Sequence, residues 1–467
     1  MTDSVDDSAL RLVLPIGEST SSMTDARLDL HVLVPHPSGE SVLVRNGGAR
    51  LPGAGLELPP DQPAIRTILP WLRAALALDA PILETHLRWD QDGEPPDEPI
   101  PGLVLTEAPP ADWPPPAGHA WFPIDGFAAA DLPDVLAPRL DELLAELRGE
   151  AAVPALRPRW SRTGWYGRAA AWMADRLADA GRPPTSPPVQ VYQWGISALL
   201  RATTATGAAY LKAVFPPFAC EPVVSELLES RFPEHMPSIV AAEPDEGWIL
   251  MDDFGSRTAR EDGDDADHEA GIRILAGIQR EMADQTGDLL AAGCPIRPLS
   301  RLGDDLDQAL ADPVALETLD ATPERMAATI AWVRKAADEL DGLGLPDTLV
   351  HGDFHAGNVA LVDGRVVVFD WSDSAIGNPV VDLVTWLNEE HDQARRDRSF
   401  EAWLAAWAGV VEPTAVRARL DTLLAIGAAY QCVSYVGILR ALEPATRYTL
   451  AGGLRYFFGR IKPAEPA

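Results

Sequence analysis

Between Leu349 and Leu387 the chain reads LVHGDFHAGNVALVDGRVVVFDWSDSAIGNPVVDLVTWL, and no other stretch narrows the possible folds as far. A short apolar strand, Thr348–Val350, runs into the polar turn His351-Gly352-Asp353-Phe354-His355-Ala356-Gly357-Asn358. Val359–Val362 and Arg365–Phe369 then read as strands around Asp363-Gly364. An Asp-Gly pair between apolar runs is a strong short-range hairpin signal. The second strand ends on Asp370-Trp371, so folding the hairpin back carries Asp353, Asn358 and Asp370 to one end of a small sheet. Two carboxylates and an amide form an oxygen set suited to a partly hydrated Mg2+ carrying a nucleotide. Asp and Asn also favour turns for conformational reasons alone, so the weight rests on the combination and its order.

With these residues in this order, the chain resembles the aminoglycoside phosphotransferase and choline kinase superfamily, the small-molecule relatives of protein kinases. His351, Gly352, Asp353, Phe354 and Asn358 keep the spacing of the protein-kinase catalytic loop H-R-D-L-x-x-x-N. Asp370-Trp371-Ser372 stands where those kinases have D-F-G. The resemblance implies an α+β, bilobal fold with a small β-rich N-lobe and a mostly helical C-lobe. It implies that Asp353 orients the acceptor hydroxyl or takes its proton, and that His355 sits near the transferred phosphoryl group. Asn358 and Asp370 would hold Mg2+ on the phosphates. Phosphoryl transfer needs positioning and charge neutralisation more than covalent chemistry, so so small a set suffices. Asp382 resembles the structural aspartate that braces this loop from beneath. Asp373 reads equally as an acceptor-facing carboxylate or as a turn residue.

Upstream, Val189–Gln193 and Ala198–Ala202 read as strands separated by Trp194-Gly195-Ile196-Ser197. That turn lacks the G-x-G-x-x-G pattern, although one glycine and Ser197 could still fold over phosphates. The next strand, Ala208–Val214, carries Lys212 among apolar neighbours, where an unpaired ammonium is costly. The resemblance supplies partners for Lys212: the α- and β-phosphates of a nucleotide, and a glutamate on the following helix. Glu221 and Glu226 compete for that role, and spacing from Lys212 favours Glu221. With Pro222 beside it, Glu221 opens a helix, where a carboxylate is also favoured by the helix dipole. Trp248–Gly255 resembles the hinge between lobes, with the backbone of Asp252 and Phe254 meeting an adenine edge and Met251 packing on it. An ordinary edge strand is the plain alternative.

Residues 1–150 read as a separate α/β domain. Leu28–Pro35 and Ser41–Arg45 are predicted strands around Pro37-Ser38-Gly39, followed by LPGAGLELPP and a helix around Ala64–Leu78. That order resembles a Nudix domain, but Thr67, Pro70 and Trp71 fall where the family's metal-binding acidic residues belong. Glu57 alone does not replace them, so the resemblance implies a Nudix-like shell without its hydrolase site. Leu103–Thr106 and the segment from His119 read as further strands, Pro138–Leu147 as an amphipathic helix. Residues 151–184 form a linker and a lead-in helix, Trp165–Ala180, whose Trp165, Trp172 and Leu177 suit packing better than ligand contact. Residues 185–254 would be the N-lobe and 255–467 the C-lobe.

The net charge of −32 argues against a nucleic-acid partner, whose phosphates demand Lys and Arg. It suits a cationic acceptor, and it equally serves solubility. The acidic run Glu261–Glu269 carries the same two readings, a solvated helix start or a cation-attracting rim. No apolar run approaches a membrane span, the N-terminus MTDSVDDSALRL is acidic rather than basic, and three separated cysteines offer no disulfide framework. A cytoplasmic protein is expected. Ala270–Ala292, Pro323–Leu343, Phe400–Trp407, Val416–Arg440 and Leu450–Ile461 read as C-lobe helices. Glu389, Glu390 and Asp392 are acceptor-pocket candidates on position, whereas Tyr430, Gln431 and Tyr435 suit helix packing.

The expected activity is ATP-dependent transfer of a phosphoryl group to a hydroxyl of a small molecule, with GTP also open, and Mg2+. Aminoglycosides, amino sugars, sugars and amino alcohols all fit the scaffold, which does not fix the acceptor. The competing reading is a non-catalytic nucleotide or metabolite sensor. It is disfavoured because Lys212, Asp353, Asn358 and Asp370 are all present together.

Overall fold

Alternation along the first strand decides how the N-terminal part packs. Ala26, Leu28, Leu30 and Val32 point to one side of β1 (Ala26–Leu33) and are buried against the apolar stripe of α1 (Ile65–Leu76), which supplies Ile65, Ile68, Leu69, Leu72 and Leu76. The opposite side of the sheet, including Leu33, Leu103 and Leu105, packs on Leu140, Leu143 and Leu144 of α2 (Ala137–Leu147). Between the helices lies a four-stranded sheet in the order β3-β1-β5-β4, with β3 at Gly53–Leu58, β4 at Ile82–Leu87 and β5 at Ile100–Thr106. β1 runs parallel to β5, and the other pairings are antiparallel. The computed structural model describes residues 26–45, 49–59, 62–88 and 98–461. The acidic N-terminus and the first part of the Pro95–Pro101 stretch lie outside these.

β2 (Ser41–Arg45) does not form a ladder with β1 as the expected hairpin requires. It pairs with β6 (His119–Pro123), and its link to the end of β1 is a single bridge between Pro35 and Val42. The turn itself is present, with Gly39 in the left-handed region, but Pro35 lacks the N–H needed to extend a ladder. α3 (Trp165–Asp179) buries Trp165, Ala169, Met173 and Leu177, a spacing of one helical turn. β7 (Val189–Gln193) and β8 (Ser197–Thr204) then form an antiparallel pair.

By internal contact the chain divides into two compact units. The first comprises the described residues up to Thr206 together with Leu442–Thr449; the second comprises Gly207–Ala441 and the chain from Leu450 onward. Residues 148–158 lie inside the first unit. Side-chain chemistry explains why. Gln190 of β7 takes the N–H and the carbonyl of Ile82 at 2.9 Å each, extending the domain through its amide. Arg139 and Arg157 share buried Glu84 and Glu443, with Arg157 Nε 2.5 Å from Glu443 Oε2, and Arg157 also pairs with part-buried Glu146 at 2.8 Å. Buried charges of both signs persist only when mutually paired, so this network locks the 442–449 segment and the residue-157 linker into the unit.

In the second unit, β11 (Trp248–Asp252) pairs antiparallel with both β10 (Ile239–Glu243) and β9 (Gly207–Val214). α4 (Glu221–Arg231) lies between β9 and β10 in sequence. After β11 come the short α5 (Ala259–Asp262) and α6 (Asp265–Met282), the latter opened by a capping box between Asp264 and Asp267. The acidic run is thus mainly a helix start. The single helix expected from Ala270 to Ala292 is broken by a 3-10 turn at Ala283–Gln285, after which α7 (Thr286–Ala291) begins.

β12 (Ile296–Arg297), α8 (Leu299–Leu310), α9 (Pro313–Thr318) and α10 (Pro323–Asp341) lead to β13 (Thr348–Val350). β14 (Val359–Val362) and β15 (Arg365–Val368) form the expected hairpin, with Asp363 and Gly364 both at positive φ as a tight two-residue turn demands. β16 (Ala375–Gly377) lies between β12 and β13 in a three-stranded sheet. The remaining elements are α11 (Val380–Glu389), α12 (Gln393–Ala406), α13 (Pro413–Arg417), α14 (Leu420–Ala441) and α15 (Tyr448–Arg460). Contrary to the sequence expectation, α14 is long and apolar enough by composition to cross a membrane. Most of it is buried against α8, α10 and α11, which accounts for its apolar character on every side.

Candidate functional site

Four aromatic or heteroaromatic rings fix the base of the polar loop. His351, Phe354, Trp371 and Trp386 are all buried, with ring centroids 4.6 Å apart for His351 and Trp371 and 4.8 Å for Phe354 and Trp386. His351 Nε2 donates to the Phe369 carbonyl at 3.0 Å, which leaves Nδ1 to accept the Asp353 N–H. Burial lowers the imidazole pKa to about 4, in keeping with that neutral tautomer.

Beneath the loop, Asp382 of α11 accepts the N–H groups of His351 and Gly352 at 2.8 Å each, and the Gln279 amide at 2.7 Å. Burial pushes its carboxyl up to about 7 against the pull of these donors. This is the bracing arrangement that the resemblance implied. Gln431 of α14 adds to it by donating to the Gly352 carbonyl at 2.7 Å, so a residue read only as packing also restrains the loop. Gly352 has φ +85, and a Cβ there would meet the Asp373 carbonyl oxygen at 2.3 Å. Gly352→Ala is expected to cost about 2–4 kcal/mol, from the strained backbone plus the displaced Asp373, and a urea titration of both proteins measures it.

On the upper surface of the loop Asp353 is 29% exposed, and Asn358 donates from Nδ2 to the Asp353 carbonyl at 3.0 Å. Since Nδ2 is spent there, the amide oxygen of Asn358 is its free ligand atom. The Phe369 N–H donates to the Asn358 carbonyl at 3.2 Å, which brings the residue before Asp370 against the loop. Asp370 itself has φ 63, an uncommon backbone for a non-glycine residue, and such outliers collect at functional sites.

Lys212, on the central run of β9, spends its ammonium protons on three oxygens: Glu221 at 2.7 Å, Asp370 at 2.6 Å and Ser372 at 2.9 Å. The Ser372 hydroxyl proton is directed at Asp370 Oδ1 (2.5 Å) or Glu221 Oε2 (2.9 Å). Burial alone would lower the lysine pKa, but the two carboxylates raise it. Glu221, at the first turn of α4, is raised by burial with Lys212 opposing. Asp370 is opposed by burial too, yet Lys212 and Ser372 bring it down to about 2. The competition between Glu221 and Glu226 is thereby settled geometrically: Glu221 touches Lys212. Ser372 was not singled out in the sequence, though as the residue two beyond Asp370 it occupies the third position of the D-F-G counterpart.

Other expected residues have different surroundings. Met251 and Asp252 end β11, and the Asp252 N–H donates to the Ser238 carbonyl at 3.0 Å. Phe254 packs on Phe369, centroids 5.2 Å apart. Ser197 opens β8 in the first unit, where its hydroxyl accepts the Trp194 indole N–H at 2.9 Å. Asp392 caps α12 by accepting the Arg395 N–H, Glu390 lies 3.2 Å from His268 Nδ1, and Glu389 lies 3.5 Å from Arg260. Asp373 is half-buried, with its pKa raised well above the carboxylate range by burial and by the Asp353 and Asp370 charges.

The model of the phosphotransferase enzyme family matches residues 97–420, more than half of the chain. A glucosamine kinase of Streptacidiphilus jiangxiensis is 40% identical over 85 residues, a match spanning 17% of this chain and 17% of that relative. Among solved structures, a choline/ethanolamine kinase family protein from Mesorhizobium loti superposes with a TM-score of 0.46 at 17% identity, covering 64% of this chain and 95% of that one. A macrolide 2'-phosphotransferase from Brachybacterium faecium gives 0.43 at 17% identity, covering 62% and 98%.

Proposed function

Because the chain belongs to the phosphotransferase enzyme family, we propose that it transfers the γ-phosphoryl group of ATP to a hydroxyl of a small molecule. The observation carrying this reading is the convergence of Lys212, Glu221, Asp370 and Ser372 beside the Asp353–Asn358 loop. Lys212 is held charged and aimed by two carboxylates, ready to exchange a protein oxygen for a phosphate oxygen. Asp370 keeps an ionised oxygen and Asn358 an amide oxygen for Mg2+. Among the described residues no cluster of three His, Cys, Asp or Glu side chains could hold a metal ion unaided. The donor set thus fits an ion that brings most of its ligands with it, as Mg2+ does on nucleotide phosphates. The metal would neutralise charge on the transferring group.

Asp353 is the base or orienting group. It is partly exposed, anchored through its backbone at both N–H and carbonyl, and its carboxylate is left to meet an acceptor hydroxyl. Met251 and the backbone around Asp252 and Phe254 form the adenine side of this reading. Since the Asp252 N–H is already spent on Ser238, the purine would be read by neighbouring groups of that segment. For residues 1–150 we propose a Nudix-like shell that lacks the metal-binding glutamates and hence hydrolase chemistry.

The acceptor is an amine-bearing sugar or amino alcohol. The acidity of the chain and the short match to a glucosamine kinase support that class. ADP release measured with Mg2+ and either ATP or GTP, against glucosamine, neutral sugars, aminoglycosides and choline-like alcohols, tests it. Stimulation by an amine-bearing acceptor is expected. Stimulation by neutral sugars alone would overturn the acceptor class, and no stimulation by any acceptor would favour a nucleotide sensor.

A further inference from the structure

Arg260 sits in the short α5, whose start is capped by Thr258, and its Nη2 is 3.0 Å from His355 Nδ1. The Gly357 N–H donates to the same nitrogen, also from 3.0 Å. Neither donor can accept a hydrogen bond, so Nδ1 is the acceptor of both and the ring proton resides on Nε2. That nitrogen is buried on a side chain only 2% exposed, with no hydrogen-bond partner among the described residues. It lies 3.7 Å from Asp353 Oδ2, beyond hydrogen-bond reach, on the side of the loop where the acceptor hydroxyl and phosphoryl group would meet.

The packing leaves the ring little choice of pose. A Cβ at Gly357 would stand 2.8 Å from His355 Cε1 and 3.3 Å from the Arg260 guanidinium carbon. Glu389 holds the guanidinium from another direction at 3.5 Å. A buried N–H without a partner bears the full desolvation cost of an unmade hydrogen bond. Such a group in a folded protein calls for a ligand that completes it.

We propose that Arg260 is a positioning residue for phosphoryl transfer: with Gly357 it pins His355 so that the Nε2–H is presented, beside Asp353, to an oxygen of the transferred phosphoryl group. The proposal rests on the phosphotransferase reading above. A fixed donor aimed at an oxygen whose charge changes during transfer stabilises the transition state without reorganisation. Arg260 acts through the ring, with its guanidinium charge paired to Glu389 at 3.5 Å.

Two measurements on the full-length chain test this. In the first, Arg260→Met is expected to lower kcat by about 10- to 100-fold with little change in KM for either substrate. In a His355→Gln background the same substitution should change kcat by less than about twofold, because the two residues act as one unit. Losses that multiply in the double variant would overturn the proposal.

The second reading needs no turnover. The 15N resonance of His355 Nε2 is followed while Mg2+–AMP-PNP or Mg2+–ADP is added. Wild type should respond to the triphosphate analogue and not to ADP, and Arg260→Met should respond less than half as much. An equal response in both proteins, or to both nucleotides, contradicts the proposal. If neither nucleotide binds wild type, the phosphotransferase reading itself falls and this inference with it, a result distinct from binding without the Nε2 response.

Discussion

Asp353→Asn is expected to lower kcat by about 10²- to 10⁴-fold while leaving Mg2+–ATP affinity within about twofold of wild type, the range spanned by loss of a positioned general base. The division follows from what each atom of the residue does. The backbone of Asp353 is structural: its N–H is held by His351 and its carbonyl by Asn358, at 3.4 and 3.0 Å. The asparagine variant keeps both bonds and nearly the same volume, so the loop should stay in place. Only the negative charge and proton affinity of the side chain change. In the proposed site, nucleotide would be held by Lys212, Asp370 and Asn358, which Asp353 does not hydrogen-bond through its side chain. Titration calorimetry with Mg2+–AMP-PNP and steady-state kinetics on the two proteins separate the effects. Loss of nucleotide binding in a correctly folded variant would contradict this assignment.

Lys212→Met should destabilise the second unit by about 3–5 kcal/mol, the cost of removing one partner from a buried ion pair. Glu221 and Asp370 would then face Ser372 and each other without a cation, and the Glu221 side chain is only 3% exposed. The pH dependence has a definite sign. Glu221 already has a raised pKa from burial, with Lys212 pulling it down, so removing the lysine raises it further. A carboxyl with a raised folded-state pKa contributes fully below its unfolded pKa, and that contribution is lost as pH climbs through the folded value. The penalty in Lys212→Met should therefore grow from mildly acid to neutral pH. Urea titrations of both proteins across that range measure it, and Lys212→Met combined with Glu221→Gln should recover part of the loss. A penalty that shrinks with rising pH would show that Glu221 is not the group left unpaired.

The parts of this molecule legible in its sequence are those where local chemistry and fold agree. The Asp363-Gly364 turn, the β13 strand and the Asp353–Asn358 spacing all required particular residue types for backbone reasons, and they emerged with nearly the expected bounds. Lys212 was conspicuous because a cation in an apolar strand demands partners. Ser372 and Gln431 were not conspicuous, since a serine in a turn and a glutamine in a helix are ordinary until the atoms they touch are known.

Long-range pairing was the least readable. Nothing local tells that β2 pairs with β6, that Gln190 caps the backbone of Ile82, or that Glu443 returns to meet Arg157. The same limit hid the extent of the first unit. α8 carried a regular apolar spacing, with Leu299, Leu302, Leu306 and Leu310 on its buried face. The acceptor-pocket candidates named on position have partners within the protein. Asp392 serves its own helix as a cap, and Glu389 and Glu390 face Arg260 and His268.

The most direct measurement is 31P NMR of the wild-type chain with Mg2+–ATP and glucosamine, with Asp353→Asn as the control. The expected spectrum shows a sugar phosphate monoester growing at the rate at which ADP appears, and neither growing in the variant. ATP consumed to ADP and inorganic phosphate without an ester, or an ester formed equally fast by Asp353→Asn, would contradict phosphoryl transfer to a hydroxyl directed by Asp353.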